Sequence, residues 1–233
     1  MYLGRYELHI FVNYEMNKMN EDDSLNESAN LTPKMTSSDY LVSFSGQSKS
    51  YCVGMVDMIN STKITHQMNH EKITKYYEIF LNSMGSVIGR FGGIVIKNIG
   101  DSLLYYFPES SKHKRKYGFM SCLEANLAII EEHTAISNQL LEHALPALDY
   151  RVSTDYGPCM IMKSNRTSVI DMVGPPMNMC SKINRSAAVN GIIIGSDFYE
   201  VVKDFDEYEF KRAGEHSIGL KHSYPLYKVT RKN

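Results

Sequence analysis

The sequence has no excess of either charge. Lys and Arg number 25 against 26 Asp and Glu, a formal net charge of −1, so no whole-chain field draws it to nucleic acid or to an anionic membrane. Any polyanion must be bound by local groups. No stretch reaches the roughly 18 apolar residues of a spanning helix. Glu7 interrupts the N-terminal MYLGRYELHIFV where a signal peptide would continue its apolar core. The expectation is a soluble, cytoplasmic protein with no membrane span and no nucleic-acid partner. The four cysteines, Cys52, Cys122, Cys159 and Cys180, include no C-x-x-C pair and sit mostly in apolar runs, which reads as reduced core residues and not zinc ligands or disulfides. There is no G-x-S-x-G and no Walker A loop, and HQMNH, with His66 and His70, lacks the glutamate of the zinc-protease pattern.

What is present is an ordinary globular composition, 43% hydrophobic and 22% charged over 233 residues, enough for one well-buried domain plus a tail. Residues 1–48 read as a largely flexible leader because Asn17 to Ser48 is polar and without sustained periodicity, and residues 49–233 as the folded domain, with order beginning near Ser50. The run YCVGMVDM predicts a strand. Apolar residues recurring at three and four predict a helix over 69–90, stopped by Gly92-Gly93. Strands Ile94 to Ile99 and Ser102 to Phe107 form a hairpin around Gly100-Asp101. A second helix is expected over 116–141, then a strand pair, Leu148 to Thr154 and Cys159 to Met162, turning at Tyr156-Gly157-Pro158. This β-α-β-β-α-β order is the ferredoxin-like plan, an α+β fold. A strand over 168–173, a helix over 177–187, a strand over 191–194, a helix near 197–203 and a last strand pair extend it, with no internal repeat.

Two apolar runs each deliver one aspartate to a turn, Asp57 in MVDMINST and Asp101 in KNIGD. A divalent ion that holds a triphosphate wants few, hard carboxylate oxygens on rigid strand ends, leaving waters and phosphates to complete its shell. Taken separately, such aspartates are often only turn or helix caps. Together with the downstream spacing they resemble the catalytic domain of class III adenylate/guanylate cyclases. MVDMINST follows that family's F-A-D-I-V-G-F-T, with Asn60 and Ser61 in place of Gly and Phe, and Lys97 to Asp101 fits K-x-x-G-D throughout. Asp171, Gly174, Asn178 and Lys182 keep the family spacing of Asp, Gly, Asn and Arg, except that lysine replaces arginine. Arg151 to Pro158 resembles R-V-G-I-H-x-G-P, and the resemblance covers about Ser50 to Val229.

The resemblance implies the class III nucleotidyl cyclase fold for residues 49–233 and an adenylate cyclase that converts ATP to 3′,5′-cyclic AMP and pyrophosphate. It implies an antiparallel homodimer with two shared sites. Asp57 and Asp101, with the Met58 carbonyl, would bind two divalent ions, Mg²⁺ or Mn²⁺. Asn178 and Lys182 would be catalytic, and Lys97 and Asp171 would read the base: lysine donates to adenine N1 and aspartate accepts from N6, where guanine presents the opposite pattern. An ordinary surface ion pair is the plainer reading of Lys97 and Asp171. Lys221, in Gly219-Leu220-Lys221, would contact phosphate. Lys182 supplies charge without the guanidinium fork, so slow turnover, or a cyclase-like module that binds nucleotide without turning it over, is the competing expectation, with guanylate cyclase more remote. Arg185, seven residues after Asn178, lies on nearly the same helical face and offers a substitute guanidinium. No regulator is identified, which leaves room for a regulatory protein.

Overall fold

The apolar run around Tyr51 grows into the longest strand. The computed structural model describes residues 41–112, 116–165, 171–217 and 223–232, and β1 (Val42–Met58) is already strand at Val42, ahead of the expected start near Ser50. It is followed by α1 (Ser61–Thr65), α2 (His70–Arg90), β2 (Ile94–Ile99), β3 (Ser102–Phe107), α3 (Lys116–Glu131), α4 (His133–Glu142) and β4 (Tyr150–Ser164). Then come β5 (Asp171–Val173), α5 (Pro175–Ile183), β6 (Gly191–Gly195), α6 (Ser196–Val202), β7 (Tyr208–Ser217) and β8 (Ser223–Arg231). The strands join one sheet in the order β2-β3-β1-β4-β6-β8-β7, with β5 on β4. Its first four strands have the ferredoxin-like arrangement, and β4 with β6 is its parallel pair.

Alternation along β1 sorts its side chains between two cores. Cys52, Val56 and Met58 join the layer under α2 and α3, while Tyr51, Val53 and Met55 pack with Ile96, Leu104 and Met172 and with Cys180 of α5 on the other face. Helix α2 starts where Asn69 accepts from the Lys72 N–H at 2.9 Å. It ends at Gly92, whose φ of 76° lets the Gly93 N–H return to the Ile88 carbonyl at 3.0 Å, a Schellman cap. Tyr76 and Phe80 are core residues, and all four cysteines are free and buried. Among the described residues no helix is long and apolar enough to cross a membrane.

Three expectations need correction. The helix over 116–141 is interrupted at Glu132, where ψ falls to −6°, and α4 starts at His133. Tyr156-Gly157-Pro158 makes no hairpin. Strand β4 runs straight through it, with Tyr51, Cys52 and Ser50 of β1 opposite Gly157, Tyr156 and Pro158. Pro158 falls between the stretch paired with β6 and the stretch paired with β5, so its missing N–H interrupts no ladder on that edge. The third helix begins at Pro175, a residue suited to a first turn, and ends at Ile183, where a 3₁₀ turn, Asn184–Ser186, takes over. Of the strand expected over 168–173, residues 166–170 lie outside the described set, and β5 is its remainder.

Asp155 of β4 joins the extension to the core. Its buried carboxylate accepts from the Tyr224 hydroxyl of β8 at 2.8 Å and from the Phe198 N–H of α6 at 3.3 Å, and the same hydroxyl accepts from the Asp197 N–H at 3.1 Å. Gly195 makes room for it, since a Cβ there would stand 2.5 Å from Asp155 Oδ1.

Candidate active site

Register brings the two motif aspartates together. In the β1–β3 ladder Asp57 stands opposite Ser102, the residue after Asp101. The Met58 N–H donates to the Asp101 carbonyl at 3.4 Å. Gly100, with φ of 62°, supplies the positive φ that the tight β2–β3 turn requires. Asn60, which replaces the family's glycine, adopts φ 57° and ψ 25°, a left-handed conformation that asparagine tolerates better than most side chains. The chain can therefore leave β1 sharply and enter α1.

Two serines then hold the carboxylates in a crossed arrangement. The Ser102 hydroxyl donates to Asp57 Oδ1, and the Ser61 hydroxyl, just past the Asp57 strand, donates to Asp101 Oδ2. Each aspartate keeps its other oxygen without a hydrogen-bond partner among the described residues. Burial pushes the Asp57 carboxyl up, the Ser102 hydrogen bond pulls it down, the charge of Asp101 pushes it up again, and Arg151 and Arg185 pull it down. Two half-buried carboxylates close enough to repel, each oriented and each with a free oxygen, fit a hard divalent cation. Among the described residues no group of three or more His, Cys, Asp or Glu converges. Such a cation would depend on water, backbone and phosphate oxygens for the rest of its shell.

A second constellation lies along β2, β5 and α5. Lys97 Nζ meets Asp171 Oδ2 at 2.5 Å, with side chains 41% and 25% exposed. The other Asp171 oxygen accepts from the Met172 N–H at 2.7 Å, which fixes the carboxylate plane. On α5 the buried side chains are Pro176, Cys180 and Ile183. The Cys180 thiol donates to the Val53 carbonyl at 3.1 Å, and its own carbonyl accepts from the Ser153 hydroxyl at 2.9 Å, seating the helix on the sheet. Asn178 and Lys182 are exposed. They occupy the face turned away from the sheet that carries Asp57. Lys221 lies outside the described residues.

Motif spacing identifies the carboxylates but misses their supports. Ser102 flanks the Asp101 turn in sequence, but its place opposite Asp57 comes from the β1–β3 register. Ser61 gives no local signal, and Arg151, opposite Asp57 in the β1–β4 ladder, emerges only from register.

The sequence matches the family described as adenylate and guanylate cyclase catalytic domain over residues 45–230. An adenylate cyclase of Streptomyces coelicolor is 22% identical over 148 residues, 64% of this chain, which spans about a third (33%) of that relative's length. Among solved structures, the adenylyl cyclase CyaB from P. aeruginosa superposes with a TM-score of 0.72 at 19% identity, covering 80% of this chain and 96% of that one. The guanylyl cyclase Cya2 gives 0.69 at 17%, covering 81% and 95%. With the fold shared over that length and the family matched from β1 to β8, the chain belongs to the class III adenylate/guanylate cyclase catalytic-domain family.

Proposed function

We propose that the protein is an adenylate cyclase acting in cyclic-nucleotide signalling, and that it works in the cytoplasm as an antiparallel homodimer with two composite sites. The observation that carries the choice of base is the Lys97–Asp171 pair, a donor and an acceptor side by side and partly open to solvent. Adenine N1 can accept a hydrogen bond from the lysine ammonium and the N6 amine can donate to the carboxylate, whereas guanine would set its N1–H against the donor and O6 against the acceptor. A mismatch leaves polar groups unpaired, which discriminates more strongly than shape alone.

Asp57 and Asp101 would hold two divalent ions, Mg²⁺ or Mn²⁺, through the carboxylate oxygens that the serines leave open, with the Met58 carbonyl as a further ligand. When bound, such ions supply a lowered pKa for the ribose 3′-hydroxyl and positive charge for the triphosphate. The ribose 3′-hydroxyl gives up its proton to solvent as its oxygen attacks the α-phosphorus in line, the bond from that phosphorus to the α,β-bridging oxygen breaks, and pyrophosphate leaves. Asn178 positions the ribose through its amide, Lys182 offsets charge developing on the phosphates, and Lys221 contacts the phosphate chain. The exposure of Asn178 and Lys182, on a helix face directed away from their own sheet, supports assigning them to the partner's Asp57 and Asp101.

Lys182 in place of arginine favours a second reading, a domain that binds nucleotide but turns over poorly or not at all. The guanylyl cyclases among the structural relatives keep GTP as the other substrate to test. Purified protein incubated with ATP or GTP and Mn²⁺, with products identified by mass spectrometry, separates these. Cyclic AMP from ATP supports the proposal, cyclic GMP transfers it to GTP, and nucleotide binding without either product supports the binding module.

A further inference from the structure

Asp101 is held by a hydroxyl that the family pattern does not supply. Ser61 stands where F-A-D-I-V-G-F-T has phenylalanine, a side chain with no donor. Its hydroxyl donates to Asp101 Oδ2, and Ser102 completes the cross by donating to Asp57 Oδ1. Both serines are 6% exposed, so water is a poor substitute for either acceptor. Their backbones are fixed as well. Ser102 is paired on both sides, with Asp57 of β1 and with Ile99 of β2. Ser61 opens α1, where the Ile64 N–H donates to the Asn60 carbonyl at 3.0 Å and the Thr65 hydroxyl donates to the Ser61 carbonyl at 2.9 Å.

An oxygen engaged in this way is withdrawn from chelation. Turning either carboxylate to offer both oxygens to one ion would leave a buried serine hydroxyl without its acceptor, which disfavours that rotamer about tenfold or more. With both serines in place the pair of aspartates offers one open oxygen each, and without them it could offer both. No group of three or more His, Cys, Asp or Glu converges among the described residues to make up the difference. Divalent ions differ on this point. Calcium takes about six to eight oxygens at about 2.3–2.6 Å and draws on bidentate carboxylates, whereas magnesium takes about six at about 2.0–2.1 Å, few of them from carboxylates and the rest from water and phosphate. Manganese accepts the same octahedral oxygen set.

We propose that Ser61 and Ser102 are positioning residues that set the ion preference of this site: by confining Asp101 and Asp57 to one available oxygen each, they bias it toward magnesium and manganese and against calcium. The proposal rests on the metal assignment made above, and its test separates the two. The probe is 3′-deoxy-ATP, or 3′-deoxy-GTP should guanine be the base bound, which lacks the attacking hydroxyl and is not turned over. Calorimetry on the full-length protein measures its Kd in saturating Mg²⁺ and in saturating Ca²⁺, and the quantity read is the ratio of the calcium Kd to the magnesium Kd. Ser61→Ala and Ser102→Ala should each lower that ratio about tenfold, the scale on which partners of metal ligands act. Ser61→Cys and Ser102→Cys, close in shape but weak donors, carry the same expectation should an alanine variant fail to fold. Ser61→Thr and Ser102→Thr keep a hydroxyl and should hold the wild-type ratio. A ratio unmoved in the alanine and cysteine variants overturns the proposal, and so does a ratio that falls equally in the threonine variants, which would mark a packing role. If chelating the ions leaves wild-type affinity unchanged, or if Asp57→Ala keeps the full ion dependence, the metal assignment itself fails and takes the proposal with it.

Discussion

Replacing Asp155 with asparagine should stabilise the protein above neutrality and flatten its response to pH. Asp155 is 2% exposed. Burial is the largest influence on its carboxyl and outweighs hydrogen bonds from the Tyr224 hydroxyl and from the Tyr156 and Phe198 N–H groups, while nearby Asp197 adds a further upward push, so its pKa rises from 3.8 to about 7. The unfolded chain releases this proton near about pH 4, and the folded chain keeps it until near pH 7. Between those limits the folded state binds more protons than the unfolded one, so stability falls as pH rises. The contribution is fully present below about pH 4 and is lost as pH climbs through about 7, a span worth as much as about 4 kcal/mol. Against a domain stability of about 5–15 kcal/mol that is large. Asparagine copies the shape of the neutral acid but turns an amide toward Tyr224 Oη, which returns about 1 kcal/mol of the gain. Urea unfolding followed by circular dichroism from about pH 5 to about pH 8 measures the difference. Wild type should lose up to about 1.4 kcal/mol more per pH unit than Asp155→Asn, and the variant should be the more stable one at the alkaline end. Parallel curves across the window would refute the reasoning.

Asp57→Ala or Asp101→Ala should each remove nearly all cyclic product while changing the unfolding free energy in urea by no more than about 0.5 kcal/mol; full activity in either variant discards the metal assignment. Ser102→Ala, which frees Asp57 from the hydroxyl that orients it, should weaken Mn²⁺ affinity about tenfold by calorimetry, and an unchanged affinity would reduce the hydroxyl to a space filler. Lys97→Glu combined with Asp171→Cys should lower kcat/KM for ATP by a factor equivalent to about 1 to 3 kcal/mol per mismatched group, and an ATP/GTP ratio that stays put in steady-state kinetics contradicts a base-reading role.

Legibility in the sequence tracks how local each cause is. Helix α2 and the hairpin β2–β3 are legible because apolar periodicity and glycine stops coincide: Asn69, Gly92 and Gly100 all act within one turn of the element they bound. Tyr156-Gly157-Pro158 misleads because its turn chemistry is local, whereas β4 is held straight by pairing with β1, a segment about a hundred residues earlier. The two motif aspartates can be read from spacing, yet the serines that cross between them depend on the β1–β3 register. Whether Arg185 shares a helix face with Asn178 turns on where α5 ends, and helix ends are legible only to within a residue or two.

The straightness of β4 has a mechanical consequence. One end of this strand places Arg151 against Asp57, and eleven residues along, Met162 pairs with Asp171, a rod of about 36 Å at the rise of an extended chain. In the proposed dimer those two ends serve different nucleotides, one through its metals and the other through its base. A slip of β4 against β1 would therefore disturb both ends at once, because one ladder sets the register of each.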